Sequence, residues 1–168
     1  RAVGRDEERA RVDSTDLAVS VVQDVVDPSF SGSGGSGTLS ASAASTLDEV
    51  IKDDVLDEIG SVDVVRLWAR DGRLFFSTDP AEEIGSSVAV NDRRIQTAAG
   101  DPAKPVAVSS EVGLTGEPAP PRLDVYQALA SDPGVVAQVQ FDDEVLVQDV
   151  SAKWFAWRVA LGVMGLLT

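Results

Sequence analysis

The chain has 168 residues, a formal net charge of −14, and neither cysteine nor histidine. This length predicts one domain that buries a core without disulfides or metals. The missing residue types exclude a disulfide framework, a thiolate zinc site and a histidine-dependent catalytic group. Nucleic acid is also a poor partner for an acidic chain, because its affinity comes mostly from Lys and Arg at phosphates. We therefore predict no cofactor, no metal site and no nucleic-acid partner.

The first segment, residues 1–60, is predicted to be mainly helical. Leu17, Val21 and Val25 recur at four-residue spacing, which places them on one face of a long helix. Valine lowers helix propensity, so a strand over 19–26 is the alternative. Both interpretations leave an apolar stripe that must pack against something.

A break and a second helix follow within the same segment. Asp27-Pro28 is predicted to end the first helix, because the residue before a proline disfavours helical backbone. Residues 29–38 are rich in Gly and Ser, which predicts a flexible loop, either natural or an engineered linker. Ser45 or Thr46 is predicted to cap the second helix. Four apolar residues share one face of that helix: Leu47, Ile51, Val55 and Ile59.

Two strands joined by a tight turn are predicted next, at 62–70 and 73–78. Asp71-Gly72 lies between them and suits a two-residue type I′ turn, in which both central residues have positive φ. Side chains alternate between the two faces of a strand. One face of the first strand is therefore aliphatic, and the other carries Arg66, Trp68 and Arg70.

The rest of the predicted core, which spans 61–149, contains one short helix and three more strands. The helix is predicted at 91–99, and a loop with three prolines at 113–121. The strands are predicted at 106–111, 123–130 and 135–141. The order of elements predicts an α+β domain with a five-stranded antiparallel sheet.

The last segment, residues 150–168, is predicted to be a helix that leads into a membrane. From 154 to 168 the only charge is Arg158. Fifteen helical residues rise only ~22 Å, whereas a bilayer needs ~20 apolar residues, so we expect the start of a span. A C-terminal core helix is the alternative. Aromatic residues and cations at its start resemble a membrane-interface belt: Lys153, Trp154, Phe155, Trp157 and Arg158.

One group of residues has the chemistry of a ligand pocket. If the strands pair, cations for a carboxylate or phosphate and rings for an apolar part would line one surface. The alternative is that the arginines are surface charges and the rings belong to the core. The candidate ligand-binding residues are Arg66, Trp68, Arg70 and Tyr126, with Arg93 and Arg94 on the short helix as weaker candidates.

The hairpin resembles one that recurs in a family of bacterial sensor domains. The run from residue 64 to Pro80, followed by Ile84-Gly85, is similar to the Trp, Asp-Gly, Ser, Asp-Pro and Ile-Gly pattern of extracytoplasmic PDC or Cache domains. The Leu123-Asp-Val-Tyr126 strand resembles a later strand of the same domains. The resemblance implies a PAS-like fold with a long N-terminal helix, short helices on one face of the sheet, and ligands bound over that sheet.

The resemblance also implies a function. Such domains lie between two membrane helices of sensor histidine kinases or of diguanylate cyclases and phosphodiesterases. The sequence resembles those of actinobacterial proteins. We therefore expect a non-enzymatic, extracytoplasmic domain of a cell-membrane receptor with a small-molecule ligand. We also expect a homodimer through the stripe of Leu17, Val21 and Val25. The alternatives are a protein-interaction module without a small-molecule ligand, and a hydrolase that uses carboxylates such as Asp142 and Asp143.

Overall fold

The computed structural model describes residues 3–32, 39–87, 89–112 and 118–142. The helices in these ranges are α1 (Val3–Val21), α2 (Asp27–Gly32), α3 (Ala41–Ile51) and α4 (Ala89–Gly100), with π-helical turns at Val22–Val26 after α1 and at Lys52–Leu56 after α3. The strands are β1 (Val62–Ala69), β2 (Leu74–Ser77), β3 (Val106–Val112), β4 (Pro118–Ala128) and β5 (Val135–Asp142). They form one antiparallel sheet in the order β2-β1-β5-β4-β3, which confirms the predicted α+β fold with five strands.

The sheet is covered on both faces. The N-terminal helices α1, α2 and α3 pack their apolar side chains on one face and form the larger core. Helix α4 lies on the other face, where Ile95 and Ala98 pack with Trp68, Tyr126 and neighbouring apolar residues. The alternation predicted along β1 is therefore confirmed, because its aliphatic side chains face the N-terminal helices, whereas Arg66 and Trp68 face α4, and β4 alternates in the same way.

Asp27-Pro28 does not end the first helix, and this prediction was wrong. Helix α1 continues through a π-helical turn at Val22–Val26 into α2. The N–H of Asp27 bonds to the carbonyl of Val22, five residues back. A proline ring in a regular helix clashes with the carbonyl four residues earlier, and it has no N–H to donate. The widened turn directly before Pro28 accommodates the ring and keeps the helix continuous.

The second helix begins earlier than predicted. Its cap is Ser40, whose hydroxyl accepts a hydrogen bond from the N–H of Ala43 at 3.2 Å. Thr46 instead lies inside the helix, where its hydroxyl donates to the carbonyl of Ser42 at 3.1 Å. The predicted apolar face is confirmed, since four residues of this helix and the turn after it are buried: Leu47, Ile51, Val55 and Ile59.

The β1–β2 hairpin exists, but its turn is not the predicted type I′. Only Gly72 in this turn has a positive φ, at 85°. The N–H of Gly72 bonds to the carbonyl of Ala69, and the N–H of Ala69 bonds to the carbonyl of Arg73, both at 2.9 Å. This is a three-residue connection in which a single left-handed residue follows an ordinary turn. The Asp71 side chain supports it by accepting from the N–H of Arg73 at 3.1 Å.

The proline-rich stretch is partly a strand, which corrects the predicted loop at 113–121. Strand β4 begins at Pro118, which pairs with Val112. Pairing of β4 with β5 begins only at Arg122, opposite Asp142. The prolines of β4 therefore precede the part of the strand that needs N–H donors on both sides, which is where proline is tolerated.

The apolar stripe of α1 is not an interface between copies of the chain. Leu17, Val21 and Val25 are 1%, 0% and 5% exposed and belong to the core of their own chain. The continuous helical segment from α1 to α2 is also attached by hydrogen bonds from the middle of α1 and from the start of α2. Arg11 donates to the carbonyl of Ala107 at 2.9 Å, and Asp27 accepts from the N–H and hydroxyl of Ser131. The predicted interface residues are thus corrected, and the homodimer itself stays a prediction.

Several predictions lie outside the described residues. They concern the C-terminal helix at 150–168, residues 33–38 of the Gly/Ser loop, and Asp143. Residues 29–32 of that predicted loop belong to α2 instead, so this part of the prediction was wrong. Across the described ranges, no helix has both the length and the apolarity that crossing a bilayer requires.

Candidate functional site

Three side chains form one row across the middle of the sheet, on the face covered by α4. Arg66 of β1 lies opposite Gln138 of β5, which in turn lies opposite Tyr126 of β4. Directly paired residues of neighbouring strands point their side chains to the same face. Arg66 is 3% exposed, and the other two are fully buried. Pairing of the strands therefore brings together two residues that the sequence predicted for a pocket and one that it did not.

Gln138 connects Trp68 to a buried carboxylate. The indole Nε1 of Trp68 donates to Oε1 of Gln138 at 2.8 Å. The Nε2 of Gln138 donates to Oδ1 of Asp124 at 3.0 Å, and Asp124 is 1% exposed. Arg122 approaches the other oxygen of Asp124 at 3.4 Å. Because both ends of the Gln138 amide are engaged, its orientation is fixed, and it holds the Trp68 ring against the sheet.

Arg66 is held by an ion pair and an amide. Its Nε donates to both carboxylate oxygens of Glu82 at 2.9 and 2.8 Å, and its Nη2 donates to Oε1 at 2.6 Å. Its Nη1 donates to Oε1 of Gln140 at 2.9 Å, and Gln140 donates in turn to Asp63 at 2.9 Å. The guanidinium that the sequence predicted to bind a ligand anion thus holds a carboxylate of its own chain in this structure.

Tyr126 is a buried phenol whose pKa depends on its burial and on neighbouring charges. Burial, and to a lesser extent the nearby charge of Asp124, raise the pKa of Tyr126 to about 12. A hydrogen bond from Arg94 to the phenol and the charges of Arg94 and Arg66 act in the opposite direction. The phenol is therefore neutral at physiological pH and takes part in the cluster as a hydrogen-bonding group.

Arg70 is separated from the other candidates by its exposure. It follows the last residue of β1, in the hairpin turn, and its side chain faces solvent. Its backbone N–H donates to the carbonyl of Gly134 at 2.9 Å, which ties the hairpin to the turn before β5. Three of the four candidates, Arg66, Trp68 and Tyr126, thus lie in the buried cluster on the α4 side.

Sequence reasoning missed four members of this cluster: Glu82, Asp124, Gln138 and Gln140. A signal was present for the two glutamines, because they alternate with apolar residues in β5, and a strand that places polar side chains on a covered face must use them there. Glu82 lies in an irregular segment after β2, and nothing in its local pattern indicates a buried ion pair. The cluster combines cations, carboxylates, amides and aromatic rings, and its charged groups are paired with one another in this structure.

A separate groove of about 460 Å³ lies on the opposite side of the sheet, beside α3. Hydroxyl groups line part of it, but most of them are already bonded within the helix cap: Ser40 to Ser42 and Ala43, and Thr46 to Ser42. This groove contains none of the predicted ligand-binding residues.

Comparison with known proteins adds evidence about the fold. No family model matches the sequence, and no curated protein matches it. Among solved structures, the chain is similar to the sensor domain of the histidine kinase DctB from V. cholerae, with a TM-score of 0.52 and 12% identity. The match covers 87% of this chain and 58% of that one, so this chain spans less than two thirds of its length. At this identity the likeness shows the fold alone, and this chain shares the PAS-like α+β fold of that domain.

Proposed function

We propose that this chain is the extracytoplasmic sensor domain of a membrane-bound signalling receptor, with a histidine kinase or a cyclic-di-GMP enzyme as its output. The ligand is a small molecule that binds the sheet face beneath α4, at Arg66, Trp68 and Tyr126. The observation that carries the proposal is the buried row of Arg66, Gln138 and Tyr126 at the centre of a sheet with the fold of a sensor domain.

The composition of this face supports a binding role. Ions and amides in a protein interior cost free energy unless every partner is in place, and replacing such a set by apolar residues is often neutral or stabilising. Aliphatic side chains dominate the face toward the N-terminal helices, although Gln127 is buried there as well. The α4 face instead buries Arg66, Asp124, Gln138 and Gln140. This asymmetry is typical of a sheet whose one face is built for stability and whose other face is built for recognition.

The sheet also offers a route from the site to α1. Tyr126 faces α4, whereas its neighbour Val125 packs in the core formed with α1. Arg11 of α1 is bonded to Ala107, which lies opposite Val125. A ligand that favours one packing of α4 on the sheet would shift these strands and, through them, the position of α1. The shift in α1 is the proposed signal.

A thermal-shift screen of small metabolites tests the proposal. A ligand at a hundredfold excess over its dissociation constant should raise the Tm of the wild-type chain by about 5–10 °C. The rise should be lost or strongly reduced in Trp68→Phe and Arg66→Gln and kept in Arg73→Gln, whose side chain is exposed. An equal rise in all variants would place binding elsewhere. No rise with any compound would contradict a small-molecule ligand and favour the alternative, a protein-interaction module.

A further inference from the structure

The Arg66 site has the donor geometry of a carboxylate receptor, and a carboxylate already fills it. Nε and Nη2 of Arg66 bind Glu82 from one edge of the guanidinium, at 2.6 to 2.9 Å. The hydroxyl of Ser77 donates to Oε2 of the same carboxylate at 2.6 Å. Ser77 lies directly opposite Arg66 in the β1–β2 pair, so both donors come from strands. Short bonds of this kind between charged groups are the strong ones.

The donors are held by groups other than Glu82. Gln140 accepts from Nη1 of Arg66 at 2.9 Å, and its own amide donates to Asp63. The hydroxyl oxygen of Ser77 accepts from the N–H of Asp79 at 3.1 Å, which leaves its hydrogen free to point at the carboxylate. The three donors would therefore keep their positions if Glu82 left, and any carboxylate of similar shape could replace it.

Glu82, in contrast, comes from an irregular segment that is bonded to β2 at its far end, where Leu74 contacts both Gly85 and Ser86, and that is mostly exposed before that point. It lies between β2 and α4, where the N–H of Glu82 bonds to the carbonyl of Asp79 at 3.2 Å and the N–H of Gly85 bonds to Leu74 at 2.7 Å. Its neighbours Ala81 and Glu83 are exposed, and Ile84 is 54% exposed. A segment with few buried contacts opens locally at a lower free energy than the strands beneath it.

We propose that Glu82 is an internal ligand, which occupies the Arg66 site until a small carboxylate exchanges with it. This inference rests on the proposed function, because it names the ligand class of that site and what regulates access to it. Competition with Glu82 lowers the apparent affinity for the carboxylate, so the site responds at higher concentrations than an unoccupied Arg66 would. Exchange also releases the segment that joins β2 to α4, which couples binding to the position of α4.

Chemical rescue by acetate tests the exchange. Glu82→Ala removes the internal carboxylate and leaves Arg66 unpaired, which should lower the Tm in sodium chloride. Sodium acetate at the same ionic strength should restore it along a saturating curve, by about 3–6 °C at ten times its dissociation constant. The matched control Glu83→Ala, on an exposed neighbour, should show no difference between the two salts. The double variant Arg66→Gln/Glu82→Ala should not respond either.

Two results would overturn the inference: equal Tm values of Glu82→Ala in acetate and chloride, or an acetate effect that persists without Arg66. If Glu82→Ala folds in neither salt, Glu82→Gln replaces it, because the amide keeps one acceptor oxygen. Acetate should then raise the Tm of Glu82→Gln at lower concentrations than that of the wild type, and equal concentrations would contradict exchange. If acetate fails to rescue Glu82→Ala while a metabolite still stabilises the wild type, the exchange is contradicted and the proposed function is not. If acetate rescues Glu82→Ala but no metabolite stabilises the wild type, the proposed function is contradicted and the exchange is not.

Discussion

The indole Nε1 of Trp68 donates a hydrogen bond to Oε1 of Gln138 at 2.8 Å, and both side chains are fully buried. This bond joins β1 to β5, which pair directly at the site. Gln138 passes the connection on to Asp124 of β4. The proposed ligand site is therefore also part of the folded core, and its substitutions must be read for stability as well as for binding.

Replacing Gln138 by Leu should lower the free energy of unfolding by about 1–3 kcal/mol, because it leaves the Trp68 N–H and an oxygen of Asp124 without a partner. Urea unfolding followed by circular dichroism measures the difference. The same substitution at Gln23, which is exposed on the π-helical turn, is the matched control and should change it by less than about 0.5 kcal/mol. Equal costs at the two positions would show that the Gln138 hydrogen bonds contribute no stability.

Tyr126 is the only tyrosine of the chain, so an ultraviolet absorbance titration reports on it alone. The folded protein should titrate with a pKa of about 12, whereas the chain in denaturant should titrate at about 10. The unfolded chain loses this proton first, so folding stability falls as the pH rises from about 10 to about 12, by ~2–3 kcal/mol in all. Tyr126→Phe should remove that part of the pH dependence. A folded-state pKa near 10 would contradict the buried position.

The position of the α1 stripe predicts a contrast between two glutamate substitutions. Val21→Glu places a carboxylate at a fully buried position and should abolish folding, since an unpaired buried charge costs several kcal/mol. Val12→Glu changes a residue of the same helix that is 50% exposed and should leave the Tm nearly unchanged. Circular dichroism and sedimentation distinguish the outcomes. A folded Val21→Glu variant with a reduced mass would instead restore the stripe as a dimer interface.

The hairpin turn depends on glycine at a single position. Gly72 has a φ of 85°, so Gly72→Ala should lower the free energy of unfolding by about 1–2 kcal/mol. Gly100→Ala is the matched control, because Gly100 lacks a positive φ and its added Cβ would meet no atom within 4 Å. That variant should be neutral or slightly more stable. A neutral Gly72→Ala would show that the turn tolerates a different backbone.

Local patterns predicted most of the fold. The alternation in β1 and the four-residue spacing in α1 and α3 were predicted correctly, because each depends only on which face of an element is buried. The points at which elements end were harder to predict. Pro28 was taken as a helix end, although a π-helical turn accommodates it, and that turn has no signature in the sequence. The α1 stripe was assigned to a partner chain, although the sheet that covers it follows later in the sequence.

The candidate site was only partly predictable. Arg66, Trp68 and Tyr126 were chosen for their chemistry, and their placement on one face follows from strand alternation. Their hydrogen-bonding partners could not be chosen in this way, because Gln138 lies 70 residues from Trp68 and Glu82 lies 16 residues from Arg66. Such pairs depend on strand order and register, and the sequence patterns of single strands do not fix either one.

The most direct test of a ligand site beneath α4 uses Trp68 as a reporter. Replacing the other two tryptophans, Trp154 and Trp157, by Phe leaves Trp68 as the only indole of the chain. A metabolite that raises the Tm should change the Trp68 fluorescence over the same concentration range, because it binds on the face where the indole is buried against Gln138. A rise in Tm with unchanged Trp68 fluorescence would contradict the site, since the ligand would then bind elsewhere on the domain.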